Sequence, residues 1–66
     1  MAILKVIEVL ANSNKGWEDA AKNAVEQASK SVKHIRSVYI KEQSATVKDG
    51  KLDDYRVNVK ITFEVN

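Results

Sequence analysis

The stretch "YRVNVKITFEV", residues 55–65, decides how the rest of the chain can be arranged. Apolar and polar residues alternate along it with a period of two, which is typical of a strand with one buried side. The side predicted to be buried carries Tyr55, Val57, Val59, Ile61, Phe63 and Val65. The other side carries Arg56, Asn58, Lys60, Thr62 and Glu64. This alternation predicts a sheet that is covered on one face only.

Two further strands are predicted before this stretch. Residues 3–10, "ILKVIEVL", are rich in β-branched residues and apolar on both sides, which predicts a strand buried on much of both faces. The polar residues 11–16 predict a loop. Residues 34–47 predict a second strand, in which a shift of apolar parity indicates a bulge at residues 41–45. Asp49-Gly50 then predicts a hairpin turn.

Residues 17–32 predict one amphipathic helix between the first two strands. Their apolar side chains recur at spacings of three and four, which places them in one stripe: Trp17, Ala20, Ala21, Ala24, Val25, Ala28 and Val32. Because the stripe is mostly alanine, the helix can approach a sheet closely. Gly16 is an acceptable N-cap, with Asn14 or Ser13 as alternatives if the helix starts earlier, and Trp17 is expected to anchor the core.

The predicted fold is therefore an α+β domain of order β-α-β-β that spans residues 1–66. The helix returns the chain, so the first and second strands run parallel and the third runs antiparallel to both. A central third strand gives the sheet order 1-3-2 with a right-handed crossover. The face of the sheet away from the helix has no second layer. It is expected to carry Ser37, Tyr39, Arg56, Asn58, Lys60 and Thr62.

The small size of the chain favours self-assembly. A domain of 66 residues buries only about 60% of the surface that its unfolded chain exposes. The chain has no cysteine and one histidine, His34, which excludes disulfides, cysteine-based zinc sites and a multi-histidine metal site. Oligomerisation, or a hard cation held by oxygen ligands, remains as the expected support.

The charge pattern argues against nucleic acid and membrane partners. Eleven basic residues oppose nine acidic ones, for a net charge of +2, and the two signs are interspersed. The apolar start of the chain is too short for a transmembrane helix and lacks the basic opening of a signal peptide. The sequence therefore predicts a soluble, cytoplasmic protein.

No catalytic constellation is visible in the sequence. Gly16 and Gly50 are isolated, so there is no glycine-rich phosphate loop. His34 and Ser37 are three residues apart, and on a strand that offset puts their side chains on opposite faces. The chain is therefore not expected to be an enzyme.

The whole chain resembles the dodecin family. The resemblance is carried by "KVIEVLANSNKGWEDAAKNAVEQASKSV" (5–32), "YIKE" (39–42) and "DGKLDDYRVNVKITFEV" (49–65), which occur together and in order. It implies a non-enzymatic ligand-binding or storage protein that forms a hollow homododecamer. In such an assembly the helices lie outside and the sheets line the interior, which would account for an uncovered face.

The resemblance also implies where a ligand would lie. Dodecins typically bind riboflavin or FMN through a tryptophan on the second strand and a glutamine on the third. Ser37 and Arg56 stand at those positions here, so flavin is not the expected cofactor. The candidate ligand contacts are Ser37, Tyr39, Arg56 and Asn58, with contact between subunits as their competing role. Flavin binding through another residue, such as Tyr39, is one alternative.

Calcium binding is the second alternative. The sequence resembles a tryptophan-lacking branch described as calcium dodecin at "GWEDAA", "HIRSV" and "KEQ". The last of these segments contains Glu42, which is the candidate metal contact at a symmetry axis, with a surface salt bridge as its competing role. Arg56, by contrast, would attract a phosphate or another anion.

Overall fold

The computed structural model describes residues 2–65 and contains one helix and three strands. The elements are β1 (Leu4–Ser13), α1 (Trp17–Ala28), β2 (Ile35–Lys48) and β3 (Lys51–Glu64). β3 is central and pairs antiparallel with both of its neighbours, in the order β1-β3-β2. The predicted fold class and the predicted sheet order 1-3-2 are therefore confirmed.

The core lies between α1 and β3. Ala20 and Ala24 on the helix meet Val57, Val59 and Ile61 on the strand, and all five are at most 1% exposed. An alanine side chain ends at Cβ, so the helix backbone comes close to the sheet. Around this centre lie partly buried residues, namely Ile7, Val9, Ala11, Trp17, Val25, Ala28 and Ile35.

The side of the sheet that faces away from α1 is uncovered, and we call it the open face. It consists of Leu4, Val6, Glu8, Leu10 and Asn12 from β1; Ser37, Tyr39, Glu42 and Ser44 from β2; and Arg56, Asn58, Lys60 and Thr62 from β3, which follow from the strand register. Residues directly opposite each other in an antiparallel pair share one face. The prediction that β1 is buried on both faces is wrong, because Leu4, Val6 and Leu10 are each more than half exposed.

β1 and α1 both differ in length from the sequence prediction. β1 continues to Ser13 because residues 11–13 pair with residues 55–57 of β3, and this ladder outweighs their turn-like composition. The helix ends at Ala28 instead of Val32. There the Ser29 hydroxyl donates to the carbonyl of Val25 at 2.7 Å, and the following amides form tight turn bonds.

β2 is irregular, as its shifting parity predicted. A register shift lies between Ile40 and Glu42, so the predicted bulge is confirmed; two further shifts, at Ile35/Ser37 and Thr46/Val47, were not predicted. The shift at Lys41 brings Glu42 to the same face as Tyr39. Asp49 and Gly50 have φ values of 52° and 75°, which confirms the hairpin turn and corresponds to its primed type.

Among residues 2–65, no helix has the length and apolar character needed to cross a membrane.

Candidate ligand-binding face

A half-open cavity of about 180 Å³ lies on the open face where the three strands run side by side. It is lined by Leu10, Glu42, Gln43, Ser44, Arg56 and Asn58. The register explains this grouping, because Glu42 lies opposite Asn58 and Ser44 lies opposite Arg56. Three of the predicted site residues, Glu42, Arg56 and Asn58, are thus brought together.

Ser37 and Tyr39, the other predicted contacts, lie farther along the open face. They are opposite Thr62 and Lys60 respectively. Since Thr62 is six residues from Arg56 along β3, about 20 Å separate Ser37 from Arg56 in one chain. The candidate contacts therefore form a row along one face, in which only Arg56 and Asn58 share the cavity.

Asn58 contributes an unmet hydrogen-bond acceptor to the cavity wall. Its Oδ1 atom is buried and has no hydrogen-bond partner within the described residues. A buried acceptor without a donor costs about 1–3 kcal/mol, so such atoms in folded proteins are usually satisfied by water, ligand or another chain. Asn58 therefore leaves one acceptor in the cavity wall without a donor from the described residues.

Arg56 is held in place beside Asn58. Its Nε atom donates to Oδ1 of Asn12, the residue opposite Arg56 on β1, at 3.2 Å. This bond uses one of the five N–H donors of the guanidinium group and leaves its planar fork for other acceptors. The arrangement suits a carboxylate or a phosphate oxygen.

Glu8 and Lys41 form an ion pair that the sequence analysis missed. Lys41 Nζ lies 3.6 Å from Glu8 Oε2, although the residues belong to opposite edge strands. Hydrogen bonding to Asn58, and then the charge of Lys41, lower the pKa of Glu8 below its ordinary value of 4.5. Glu8 was visible as the single acid in an apolar strand, but its pairing with Lys41 joins the two edge strands across β3 and depends on the strand register.

Trp17 connects the start of α1 to the strand beside the cavity. Its indole Nε1 donates to the carbonyl oxygen of Ser44 at 2.8 Å, and its ring packs edge-on against Tyr55 at 4.9 Å. The helix N-terminus is thereby attached to β2 directly after the bulge. Trp17 packs against the core as expected, whereas its hydrogen bond to Ser44 could not be foreseen from the sequence.

Three features of a single chain bear on calcium and flavin as candidate ligands. Within residues 2–65 there is no group of three or more His, Asp or Glu side chains placed to hold a metal. Glu42 lines the cavity, but it does so together with the cationic Arg56. A flavin ring placed at Ser37 would lie beside Thr62, the residue opposite Ser37 on β3. The aromatic side chain on the open face is Tyr39.

A family model and a curated relative both point to one protein family. The family model described as Dodecin matches residues 3–66. The calcium dodecin of Mycobacterium tuberculosis (strain ATCC 25618 / H37Rv) is 34% identical over 65 residues, which cover 98% of this chain and 92% of that protein.

Solved structures of dodecins share the fold. The structure of the M. tuberculosis protein, described as a calcium-chelating immunodominant antigen with a novel calcium-binding site, has a TM-score of 0.82 at 35% identity and covers 97% of this chain and 91% of that chain. Dodecin from Streptomyces coelicolor has a TM-score of 0.92 at 25% identity, with coverages of 98% and 93%. A Thermus thermophilus dodecin variant has a TM-score of 0.94 at 24% identity, with coverages of 100% and 98%, and shows the fold alone. The chain belongs to the dodecin family.

Proposed function

We propose that this chain forms a hollow homododecamer that binds and stores a small ligand without catalysing a reaction. The observation that carries the proposal is the open face. Exposed Leu4, Val6 and Leu10 lie beside a polar cavity that contains Arg56 and the unmet acceptor of Asn58. A face of this composition is suited both to contact with other copies and to an enclosed binding site. Membership of the dodecin family supports this reading.

The limited core gives a physical reason for self-assembly. Five hydrophobic residues of the described chain are buried, whereas ten large hydrophobic residues remain exposed. Each large aliphatic side chain that becomes fully buried between copies contributes about 1.5–3 kcal/mol. Association therefore provides the burial that one chain of this size lacks.

The ligand that the face favours is a small anion with a hydrogen-bond donor. Arg56 supplies the positive charge, Asn58 accepts the donor, and Ser37 and Tyr39 extend the wall toward the neighbouring copies. A riboflavin or FMN ring would lack stacking partners at Ser37. Stacking on aromatic side chains contributes about 1–3 kcal/mol per ring, and a loss of about 3 kcal/mol weakens binding more than a hundredfold.

Calcium is the second candidate ligand, because the M. tuberculosis relative is named for it. In this version Glu42 supplies one carboxylate, and Glu42 from symmetry-related copies supplies the others at an axis. Calcium takes six to eight oxygen ligands, so waters or amide oxygens would complete the shell. Calorimetry should then show calcium binding that Glu42→Gln abolishes and that Glu26→Gln, on the helix, leaves intact. Heat and stoichiometry unchanged by Glu42→Gln would contradict this assignment.

The assembly is tested by native mass spectrometry and size-exclusion chromatography with light scattering. The expected mass is about 89 kDa, which is twelve times the 7.4 kDa of one chain. A species of 7.4 kDa at micromolar concentration would overturn the homododecamer.

The binding wall is tested by restoring flavin contacts. We expect riboflavin fluorescence to be little quenched by the natural protein and strongly quenched by the double variant Ser37→Trp with Arg56→Gln. The matched control is Arg56→Gln alone, which changes the charge without supplying a ring. An intact dodecamer of the double variant that gains no riboflavin affinity would show that the site is misplaced.

A further inference from the structure

The turn between β2 and β3 places an aspartate directly before a glycine, at a distance from the candidate ligand cavity. Asp49 and Gly50 are exposed and lie between Lys48, the last residue of β2, and Lys51, the first residue of β3. Their φ values, 52° and 75°, are both left-handed. A residue with a Cβ atom adopts this conformation only at a cost, so Asp49 is the strained member of the pair.

The carboxyl group of Asp49 and the amide nitrogen of Gly50 are both unrestrained. Among residues 2–65, neither group has a hydrogen-bond or ion-pair partner, since the ladder ends at the pair of Lys48 and Lys51. A Cβ atom placed at Gly50 would meet no atom within 4 Å, so the space beside this nitrogen is open. Glycine also has no side chain of its own to shield the nitrogen.

We infer that Asp49 is a site of spontaneous backbone isomerisation to isoaspartate, with water as the only co-reactant. The main-chain nitrogen of Gly50 attacks the side-chain carboxyl carbon of Asp49. A new C–N bond forms, the carboxyl C–O bond breaks, and the amide proton leaves with the hydroxyl group as water. The product of this step is a five-membered succinimide ring. Closure requires rotation about the Asp49 main chain, which the exposed turn permits because no contact holds it.

Hydrolysis of the ring then changes the path of the main chain. Water that adds to the side-chain carbonyl of the succinimide restores aspartate. Water that adds to the main-chain carbonyl leaves Gly50 attached to the side-chain carboxyl of residue 49, which is isoaspartate. One water is released and one is consumed, so the product has the mass of the original chain and no oxidant or reductant is involved.

The other aspartates of the chain lie in regular structure. Asp19 is in α1, whereas Asp53 and Asp54 are in β3, and a residue with a side chain follows each of the three. Asp19 is also restrained, because its Oδ2 atom accepts a hydrogen bond from the Ser13 hydroxyl at 2.6 Å. A helix or strand fixes the main-chain rotation that ring closure needs. The reaction is therefore confined to Asp49.

Isomerisation would open the end of the hairpin and leave the rest of the sheet paired. A two-residue primed turn needs left-handed φ values at both central residues, and isoaspartate adds one atom to the main chain between them. The pairs Lys48/Lys51 and Val47/Leu52 would then lose their register. The next pair is held in addition by the Thr46 Oγ1 atom, which accepts the N–H of Asp54 at 3.1 Å.

Peptide mapping of aged protein tests the site. The full chain is incubated for weeks at 37 °C and neutral pH, and cleavage after glutamate releases residues 43–64, which include Asp49, Asp53 and Asp54. Electron-transfer fragmentation distinguishes isoaspartate from aspartate at each position. We expect isoaspartate at Asp49 to exceed that at the other aspartates on the order of tenfold, because only Gly50 presents an unshielded nitrogen. Equal or no conversion at Asp49 would overturn the inference.

Two variants of the same position provide matched controls. Asp49→Asn should react faster through the same ring, because ammonia is lost in place of water, and should gain about 1 Da. Asp49→Glu keeps the charge but would have to close a larger ring, so it should remain unchanged. An Asp49→Asn variant that shows no mass gain would contradict access of the Gly50 nitrogen to the side chain in the folded protein.

Amide hydrogen exchange tests the structural consequence. Aged natural protein should show faster exchange at residues 47–52 than fresh protein, whereas the rest of β2 and β3 should exchange as before. Aged Asp49→Glu protein is the control for other effects of storage. Unchanged exchange at residues 47–52 in isomerised chains, or a change that extends over the whole sheet, would contradict an opening limited to the hairpin end.

Discussion

Trp17 shows how one side chain can fix the geometry of a neighbouring site. Its indole N–H reaches the carbonyl of Ser44 at 2.8 Å, and Ser44 itself lines the cavity beside Arg56. The edge-on contact with Tyr55 holds the ring from the other side. Trp17 therefore ties the first turn of α1 to the bulged part of β2.

Replacing Trp17 by Phe should lower the free energy of unfolding by about 1 kcal/mol. Phenylalanine keeps an aromatic ring against Tyr55 but cannot donate to Ser44, and one intramolecular hydrogen bond contributes about 0.5–1.5 kcal/mol net. Urea unfolding at fixed protein concentration measures the change, and Tyr55→Phe, which keeps its ring, is the control. A loss for Trp17→Phe no larger than for this control would contradict a role for the indole bond.

The ionisation of Glu8 makes the folding stability of the protein depend on pH. Because contact with Asn58 and Lys41 lowers its pKa in the folded chain, the unfolded chain binds this proton more readily. The stability that Glu8 contributes is therefore present above its ordinary pKa of 4.5 and is lost as the pH falls through the lower folded value.

We expect Glu8→Gln to be less stable than the natural protein at pH 7 and to converge with it in acid. Urea midpoints measured from pH 7 down to pH 3, at one protein concentration, would show the convergence. Glu26→Gln controls for the loss of one negative charge. A constant difference between the Glu8→Gln variant and the natural protein across this range would contradict the linkage.

At the scale of elements, β3 organises the molecule because both other strands pair with it. Its strict alternation gives the sheet one apolar side for α1 and leaves the open face on the other. β2 is less regular, and its register shift at Lys41 decides that Glu42 and Ser44 face the cavity. The hairpin turn at Asp49 and Gly50 joins the end of β2 to the start of β3.

Gly50→Ala should destabilise the protein by about 1 kcal/mol. Gly50 has a φ of 75°, a left-handed conformation that an L residue with a Cβ atom adopts only at a cost. A Cβ atom at this position would meet no other atom within 4 Å, so the loss comes from the backbone and not from a clash. Urea unfolding measures it, and Gly50→Asn should cost less because asparagine tolerates this conformation. Equal stability of the alanine and glycine forms would contradict this explanation.

At the scale of the whole molecule, apolar side chains lie on the surface as well as in the core. The buried centre consists of two alanines, two valines and one isoleucine, whereas Leu4, Val6 and Leu10 are exposed on the open face. Val47 and Leu52 are exposed beside the hairpin turn. A single chain thus leaves apolar side chains exposed on the open face and at the end of the β2–β3 hairpin.

Unfolding should therefore depend on protein concentration. Assembly removes folded chains from the equilibrium by mass action, so a tenfold higher concentration stabilises each chain by up to about 1.4 kcal/mol. Thermal midpoints recorded from micromolar to hundreds of micromolar chain should rise steadily. A midpoint independent of concentration would indicate that the chain folds and persists without partners.

The sequence by itself determined the fold class and the sheet order, because periodicity is local. A period of two in residues 55–65 and a three-to-four spacing in residues 17–28 depend on neighbouring residues alone, and the turn at Asp49-Gly50 follows from backbone preference. The same local reasoning placed Arg56 and Asn58 on one face, whereas Glu42 joins them through the register shift that the structure shows at Lys41.

Only the tertiary structure decided what those residues meet. The ion pair of Glu8 with Lys41, the bond of Trp17 to Ser44 and the cavity on the open face join residues far apart in the chain. They depend on strand register and on where the helix rests, to within one residue and a few ångströms. A one-residue change in register turns every side chain of a strand to its other face, so no local pattern could specify these contacts.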